Sequence, residues 1–197
     1  MVEAIVIRDI SIMLCGDVYP PTEDSILLFD WVTRYSNPGL DLDIDLGSGT
    51  GIIGIGNAYS HSRYTILIDI SWKALQCSYF NSVSNNVDHL IDLILWNEDM
   101  SIFRHDLSLY ILMNPPYLPV CNESPQWSGG GTGSDVIVGM LNSLIMRSRF
   151  RILFIYSSYT NVDEVKRISD SNRLYFDVID EIDFPMEKIF LGLICKG

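Results

Sequence analysis

The chain has 197 residues, of which 48% are hydrophobic and 19% are charged. This length suits one domain, and the composition suits a well-buried core and not a disordered chain. The formal net charge is −12, with 13 basic residues among 25 acidic ones. Affinity for a DNA or RNA duplex depends on Lys and Arg that neutralise phosphates, so a duplex is disfavoured as the substrate.

No apolar run reaches the roughly 18 residues that a membrane-spanning helix needs, and the N-terminus lacks the layout of a signal peptide. The four cysteines are Cys15, Cys77, Cys121 and Cys195, and they include no CxxC pair and no neighbouring histidine cluster. We therefore expect free thiols in a cytoplasmic protein, with no disulfide framework and no metal site.

The N-terminal part is predicted to form a strand and then a helix. Residues 1–8 alternate in the manner of a strand, and a proline-rich turn follows at residues 16–21. Thr22 can cap a helix that has Glu23 and Asp24 in its first turn, where the helix dipole favours negative charge. An Asn-Pro-Gly sequence then ends this helix.

From residue 41 onward, strands alternate with helices. We predict strands at residues 43–46, 64–70, 90–95, 107–113, 152–156, 174–179 and 188–194, and helices at 52–59, 71–83, 136–147 and 161–169. On the second of these helices, the side chains expected to face the core are Trp72, Leu75, Cys77 or Tyr79, and Phe80. The pattern indicates an α/β fold with a mostly parallel sheet, helices on both faces and an antiparallel hairpin at one edge. We expect one domain over residues 1–197, with 1–40 as an N-terminal extension and 41–197 as the catalytic core.

A glycine-rich turn, Gly47-x-Gly49-x-Gly51, lies between the first core strand and the following helix. Glycines there permit a tight turn and a close approach of the backbone to a ligand. The next strand ends at Asp69 and Ile70, and Asp69 lies 18 residues after Gly51. That offset is close to the one at which a carboxylate can hold ribose hydroxyls. Either a dinucleotide-binding fold or a methyltransferase would have these features.

Three features favour the methyltransferase. Asp45 lies directly at the turn, where it would repel a pyrophosphate but suit the amino or sulfonium group of S-adenosylmethionine. The spacing is GxGxG and not GxGxxG, and no Lys or Arg adjoins the turn. Asp41 and Asp43 share the strand face of Asp45, and we expect both of them to be solvated.

Asn114-Pro115-Pro116-Tyr117 follows an apolar strand. In an open α/β sheet, ligands bind outside the carboxyl ends of the central strands, so this loop should face the cofactor. Asn114 Oδ1 and the Pro115 carbonyl could accept hydrogen bonds from an amide or amino nitrogen, and Tyr117 could stack on its plane. Catalysis would then consist of positioning and aimed dipoles. The loop therefore predicts methyl transfer to a planar nitrogen.

These motifs resemble class I methyltransferases with an (Asn/Asp/Ser)-Pro-Pro-(Tyr/Phe) signature, and in particular the HemK-like branch that methylates glutamine in release factors. Residues 17–24, DVYPPTED, look like an N-terminal element of the short archaeal and eukaryotic subgroup. Residues 127–133, WSGGGTG, resemble the loop after the catalytic motif, and residues 187–191 fit the last strand. One departure is that Leu109 stands where the family usually has Asp, with Asp106 upstream.

The resemblance implies a seven-stranded sheet and methyl transfer to the glutamine of the Gly-Gly-Gln tripeptide of a release factor, in translation termination. It also implies a small zinc-ribbon activator, which would cover the apolar strand at residues 90–96. For the acceptor amide it implies Asn114, Pro115 and Tyr117. For S-adenosylmethionine, the candidate residues are Tyr19, Pro21, Glu23, Asp45, Gly47, Gly49, Gly51, Asp69, Ile70, Asp99, Met100 and Asn114, and whether Glu98 or Asp99 faces the adenine is left open.

Two alternatives remain open from the residues. The same loop can hold the exocyclic amine of adenine, which would make the protein an N6-adenine methyltransferase of DNA or RNA. The strong negative charge and the lack of a target-recognition domain disfavour this activity. The protein could instead be a catalytically silent subunit that binds the cofactor, although such a subunit would not need the acceptor-bearing loop.

Overall fold

The computed structural model describes residues 3–120 and 129–197. The strands are β1 (Ala4–Ile7), β2 (Ile10–Met13), β3 (Leu42–Leu46), β4 (Thr65–Asp69), β5 (Ile91–Leu95), β6 (Leu109–Met113), β7 (Phe150–Ser157), β8 (Tyr175–Asp183) and β9 (Lys188–Lys196). The helices are α1 (Glu23–Arg34), α2 (Ile52–His61), α3 (Trp72–Ser84), α4 (Asp135–Leu144) and α5 (Asp163–Ser171), with short 3-10 turns at Asp88–Leu90 and Met100–Ile102. Within the described ranges, no helix combines the length and apolar character needed to cross a membrane.

Seven strands form one sheet in the order β5-β4-β3-β6-β7-β9-β8. Strands β3 to β7 run parallel, whereas β9 pairs antiparallel with both β7 and β8. The predicted α/β class and the antiparallel hairpin at the C-terminal end are thus confirmed. Strand order reverses between β3 and β6, and in such sheets the crevice at this switch point binds ligands.

The sheet is covered on both faces because its central strands are apolar in both directions. On β6, Leu109, Ile111 and Met113 pack in the cluster that includes α4, whereas Tyr110 and Leu112 pack in the cluster that includes α1 and α2. All five side chains of this strand are buried. The carboxyl end of β6 is therefore fixed firmly where it leads into Asn114.

Strands β1 and β2 form a separate two-stranded sheet, which the sequence indicated only as a single strand. Helix α3 holds β2 through amide side chains. Asn81 Oδ1 accepts a hydrogen bond from the Met13 N–H at 2.8 Å, and Asn85 Oδ1 accepts one from the Ser11 N–H at 3.0 Å. The N-terminal hairpin is thus attached to the core by side chains that replace a missing strand neighbour.

This attachment corrects the predicted orientation of α3. The prediction is confirmed for Leu75 and for Cys77, the first of its two alternatives, which are both buried. It is wrong for Trp72 and Phe80, which are 62% and 52% exposed, and the alternative Tyr79 is 50% exposed. The rest of the buried face consists of small and polar side chains, which are Ala74, Ser78, Asn81 and Ser82. Polar residues were discounted as core, but their hydrogen-bond partners on the N-terminal segment and the glycine turn make their burial favourable.

The prediction of free thiols is wrong for one pair. Cys15 and Cys77 form a disulfide across a sequence separation of 62 residues. It joins the segment after β2 to α3, beside Val18 and Ala74. Cys195 is free, and Cys121 lies outside the described residues. The spacing gave no sign of this pair because the two residues meet only through the packing of the N-terminal hairpin.

Asp43 is also not solvated as predicted, since it is fully buried. Its Oδ1 accepts a hydrogen bond from Arg63 at 2.8 Å, and its Oδ2 accepts one from Asn57 Nδ2 at 2.9 Å. Asp41 is exposed and accepts hydrogen bonds from the N–H and hydroxyl of Ser108. Asp43 is therefore a buried charge with its partners supplied, and loss of one of these partners would leave it uncompensated.

Arg147, just after α4, has a side chain that is only 1% exposed. Its guanidinium donates to four carbonyl oxygens, those of Met100, Phe103, Arg104 and Leu107, at distances between 2.6 and 3.1 Å. This one side chain thereby fixes the connection from the 3-10 turn at Met100–Ile102 to β6. A planar group with five donors suits such a cluster of carbonyls.

Candidate active site

A cavity of about 550 Å³ opens at the carboxyl ends of β3, β4 and β6. Its size is within the range usual for small-molecule and cofactor sites. The predicted site residues that line it are Tyr19, Pro21, Asp45, Gly47, Gly49, Asp69, Ile70, Asn114, Pro115 and Tyr117. Segments distant in sequence thus meet at the switch point of the sheet.

The glycine turn presents bare backbone to this cavity. Gly47 and Gly49 have φ angles of 72° and 55°, the left-handed region that favours glycine. A Cβ at Gly47 would meet no atom within 4 Å, and one at Gly49 would meet only Val18 Cγ1, at 3.9 Å. Gly51 does not line the cavity, and its Cβ would lie 3.0 Å from Ser78. Gly51 is therefore a packing glycine, and the other two keep space open for a ligand.

Two carboxylates lie below this turn. Asp45 Oδ2 accepts a hydrogen bond from the Gly54 N–H at 2.8 Å. Burial raises the pKa of Asp45 to about 7, opposed by the Gly54 bond and reinforced by the negative charge of Asp69. Asp69 accepts from the N–H groups of Gly49 and Ser71, at 2.9 and 2.8 Å. Burial raises its pKa as well, while these N–H groups lower it.

The composition of the lining tests which cofactor fits. The residues that line the cavity in the described part of the chain include no Lys or Arg. A pyrophosphate beside the glycine turn would meet two carboxylates and no basic side chain, whereas a ligand with positive charge would find both Asp45 and Asp69 as counter-charges. The site therefore fits a cationic nucleoside such as S-adenosylmethionine better than a dinucleotide.

At the far end of the cavity the structure differs from expectation. Asp99 and Met100 do not line it. Met100 is fully buried in the core, and Asp99 caps the 3-10 turn by accepting from the Ser101 N–H and hydroxyl. The cavity is lined there by Trp96, Asn97 and Glu98. The turn begins at Met100 with Asp99 as its N-cap, so Glu98 and not Asp99 lines the cavity.

The opposite wall combines α1 with the loop after β6. Asn114 Nδ2 donates to Ser25 Oγ at 3.1 Å, and the Tyr117 hydroxyl donates to Asp24 Oδ2 at 3.0 Å. Burial and the charge of Asp24 raise the pKa of Tyr117 above its usual value, so its hydroxyl stays protonated. Glu23 is exposed and does not line the cavity. The neighbouring Asp24 and Ser25 do, and the sequence analysis assigned neither of them to the site.

Asn114 Oδ1 is buried and has no hydrogen-bond partner in the structure. Buried polar atoms without partners are rare, so such an atom in a cavity wall indicates a group held ready for a ligand. The glycine-bearing loop predicted at residues 127–133 lies partly outside the described residues. Within it, Gly130 lines the cavity, and a Cβ at Gly129 would lie 2.7 Å from the Pro116 carbonyl oxygen.

Comparisons with known proteins agree with this geometry. The profile of the family described as "Methyltransferase small domain" matches residues 36–124. A protein of Methanocaldococcus jannaschii described as "Putative protein N5-glutamine methyltransferase" is 29% identical over 145 residues. That alignment covers 66% of this chain and 66% of the relative, which is just under two thirds of the relative's length.

Two solved structures illustrate the similarity of the fold. The Mtq2–Trm112 complex of E. cuniculi, described as responsible for methylation of the eRF1 translation termination factor, has a TM-score of 0.70 and 21% identity, and the match covers 92% of this chain and 99% of that one. TYW2 of M. jannaschii, solved in complex with AdoMet, has a TM-score of 0.64 and 11% identity, with 98% and 83% covered. The solved structures share the Rossmann-like fold of this chain, and the family profile matches less than half of its residues.

Proposed function

We propose that the protein transfers a methyl group from S-adenosylmethionine to the side-chain amide nitrogen of a protein glutamine, in the Gly-Gly-Gln tripeptide of a translation release factor. The observation that carries this proposal is the unpartnered Oδ1 of Asn114 in the cavity wall. An acceptor oxygen there matches the N–H groups of a primary amide. The amide group of a glutamine side chain offers two such donors on one nitrogen.

The residues around Asn114 suit the handling of a planar nitrogen. Pro115 and Pro116 have no N–H, so these two positions offer no backbone donor to the cavity. Tyr117 lies at the same wall, where its ring can lie against the plane of an amide. Together these groups would hold the nitrogen in line with a methyl donor and keep water away from it.

The opposite end of the cavity would hold the cofactor. S-adenosylmethionine supplies a methyl group activated by a positively charged sulfonium. Gly47 and Gly49 would let the cofactor approach the backbone, Asp45 would face its charged methionine portion, and Asp69 would accept hydrogen bonds from the ribose hydroxyls. Near the adenine we assign Trp96 and Glu98 in place of Asp99 and Met100. This arrangement brings the two substrates together from opposite walls.

The relatives support the choice of glutamine. The Methanocaldococcus protein carries an N5-glutamine methyltransferase description, and the E. cuniculi complex is described as acting on a termination factor. The formal charge of −12 also favours a protein acceptor over a nucleic acid, since a polynucleotide would be repelled.

A small partner protein forms part of the proposal. Strand β5 is an edge of the sheet, and Leu95 and Trp96 at its end are 52% and 41% exposed. Trp72 and Phe80 of α3, a helix that contacts β5, are also exposed. An exposed apolar patch beside an open strand edge is a usual interaction surface. The E. cuniculi structure contains Trm112 as a second protein, and we propose a small zinc-ribbon activator at this edge.

The test uses radiolabelled S-adenosylmethionine with three acceptors, which are a release factor, its Gly-Gly-Ala variant and duplex DNA. Each is assayed with the protein alone and with the zinc-ribbon protein co-expressed. Label should appear on the release factor and be absent from the variant, because the variant lacks the side-chain amide. Equal labelling of the Gly-Gly-Ala variant would contradict the proposed acceptor, and labelling of DNA in place of protein would favour N6-adenine methylation.

A further inference from the structure

The position of Asp24 at the start of α1 does not by itself explain why its carboxylate is buried. An acid in the first turn of a helix is usually solvated, but Asp24 is only 4% exposed. Its Oδ1 accepts from the Thr22 hydroxyl at 2.6 Å and from the N–H and hydroxyl of Ser25 at 2.5 and 3.2 Å. Its Oδ2 accepts from the hydroxyls of Tyr117 and Tyr19, at 3.0 and 3.2 Å.

These hydrogen bonds form a chain with a defined direction. An ionised carboxylate can only accept, so the single hydroxyl hydrogen of Ser25 is directed to Asp24. The oxygen of Ser25 is then left to accept, and it accepts from Asn114 Nδ2 at 3.1 Å. The amide of Asn114 is thereby oriented with its nitrogen towards Ser25. Its Oδ1 is the atom left without a partner.

We propose that Asp24 is a positioning residue that determines which end of the Asn114 amide is offered to the acceptor. Through Ser25 it makes Asn114 present an oxygen, and through a direct hydrogen bond it holds the ring of Tyr117. This inference rests on the proposed function, because a primary amide substrate needs acceptors for its N–H groups. Asp24 touches neither the transferred methyl group nor the acceptor nitrogen in this scheme.

Removal of the Asp24 carboxylate should release the chain. In Asp24→Ala the Ser25 hydroxyl loses its acceptor and is free to donate to Asn114 Oδ1. That donation would turn Asn114 Nδ2 towards the substrate. The NH₂ groups of Asn114 and of the acceptor amide would then face each other, and the acceptor amide would lose its hydrogen bond.

The experiment compares Asp24→Ala, Ser25→Ala and their double variant with Asp30→Ala. Asp30 is on the same helix, and its ion pair with Arg8 is exposed, so this control removes a similar charge away from the cavity. Steady-state kinetics give kcat and the KM for the acceptor, calorimetry gives the Kd for S-adenosylmethionine, and thermal melting monitors folding. The acceptor is whichever substrate the labelling assay identifies, so a wrong release-factor assignment is detected separately from a wrong role for Asp24.

We expect each single variant to lower kcat by about 10- to 100-fold, as a misplaced substrate group does, with the cofactor Kd changed less than about threefold. The double variant should lose no more than the worse single variant, because both changes break one chain. The control should stay within about twofold of the parent. Additive losses in the double variant, a fall in cofactor affinity as large as the fall in kcat, or an unchanged kcat would each overturn the proposal. If Asp24→Ala does not fold, Ser25→Ala alone carries the same comparison of kcat with cofactor Kd.

Discussion

The two walls of the cavity are built in different ways. The wall around Gly47 and Gly49 uses backbone groups and one carboxylate from each of two neighbouring strands, β3 and β4. The wall around Asn114 uses side chains from α1 and from the loop after β6, which are joined by hydrogen bonds over a sequence separation of 89 residues. Backbone geometry follows from a short local motif, whereas a network of side chains depends on how distant segments pack.

This difference has a functional meaning under the proposed activity. The backbone wall would hold a cofactor whose shape is always the same, so a rigid turn suffices. The wall of side chains would orient one amide against another, and that needs defined donors and acceptors. Substitutions should therefore separate cofactor affinity from methyl transfer according to the wall in which they lie.

The largest expected effect is the loss of methyl transfer in Asn114→Ala. Loss of the acceptor oxygen should lower kcat by about 10²- to 10³-fold, as removal of one aimed hydrogen-bonding group does. Cofactor affinity should stay within about tenfold of the parent. Single-turnover labelling and calorimetry on the same preparation check both. A loss of cofactor binding as large as the loss of transfer would show that the two walls are not separate.

The next largest expected effect is a loss of cofactor affinity in Asp69→Asn, a substitution in the wall around Gly47 and Gly49. The amide can accept only with its oxygen and cannot replace both carboxylate oxygens that now hold Gly49 and Ser71. Loss of charge-assisted hydrogen bonds of this kind should weaken cofactor binding by about 10- to 100-fold. At saturating cofactor, kcat should be nearly that of the parent. A variant with normal Kd and low kcat would reverse the assignment of this wall.

The smallest expected effect is a pH dependence that comes from Asp45. Burial raises the pKa of this carboxyl from 3.8 to about 7. In the free protein the folded state holds this proton more tightly than the unfolded state, so the Asp45 contribution to stability falls as the pH rises through this window. A positively charged ligand prefers the ionised form. Cofactor affinity should therefore rise several-fold between about pH 5.5 and about pH 7. In Asp45→Asn, calorimetry should find weaker binding without this rise.

The sequence predicted the sheet well because its central strands are apolar on both faces and the helices between them have ordinary length. It also placed Asp45, Asp69 and the Asn114 loop at one edge, since the carboxyl ends of parallel strands meet there. These parts depend on local pattern and on a general rule of sheet topology.

Several of the errors concern polar residues whose partners are distant in sequence. Asp43 is buried because Arg63 and Asn57 reach it, and α3 buries Asn81 because the N-terminal hairpin needs its hydrogen bonds. Asp24 was interpreted as a helix-dipole residue for the same reason. A polar side chain gives no sign in sequence of which partner it will meet, so burial of such residues could be found only from the packed structure.

The contacts of Arg147 bear on how much the sequence between the 3-10 turn and β6 can vary. Its guanidinium contacts only carbonyl oxygens there, at Met100, Phe103, Arg104 and Leu107. Every amino acid supplies that oxygen, so the interaction is indifferent to the side chains of the segment. The presence of Leu109 in place of the usual acid, with Asp106 upstream, leaves this anchor intact. The exposed residues of this segment, at positions 101, 102 and 104–106, can thus vary in sequence while the start of β6 keeps its position.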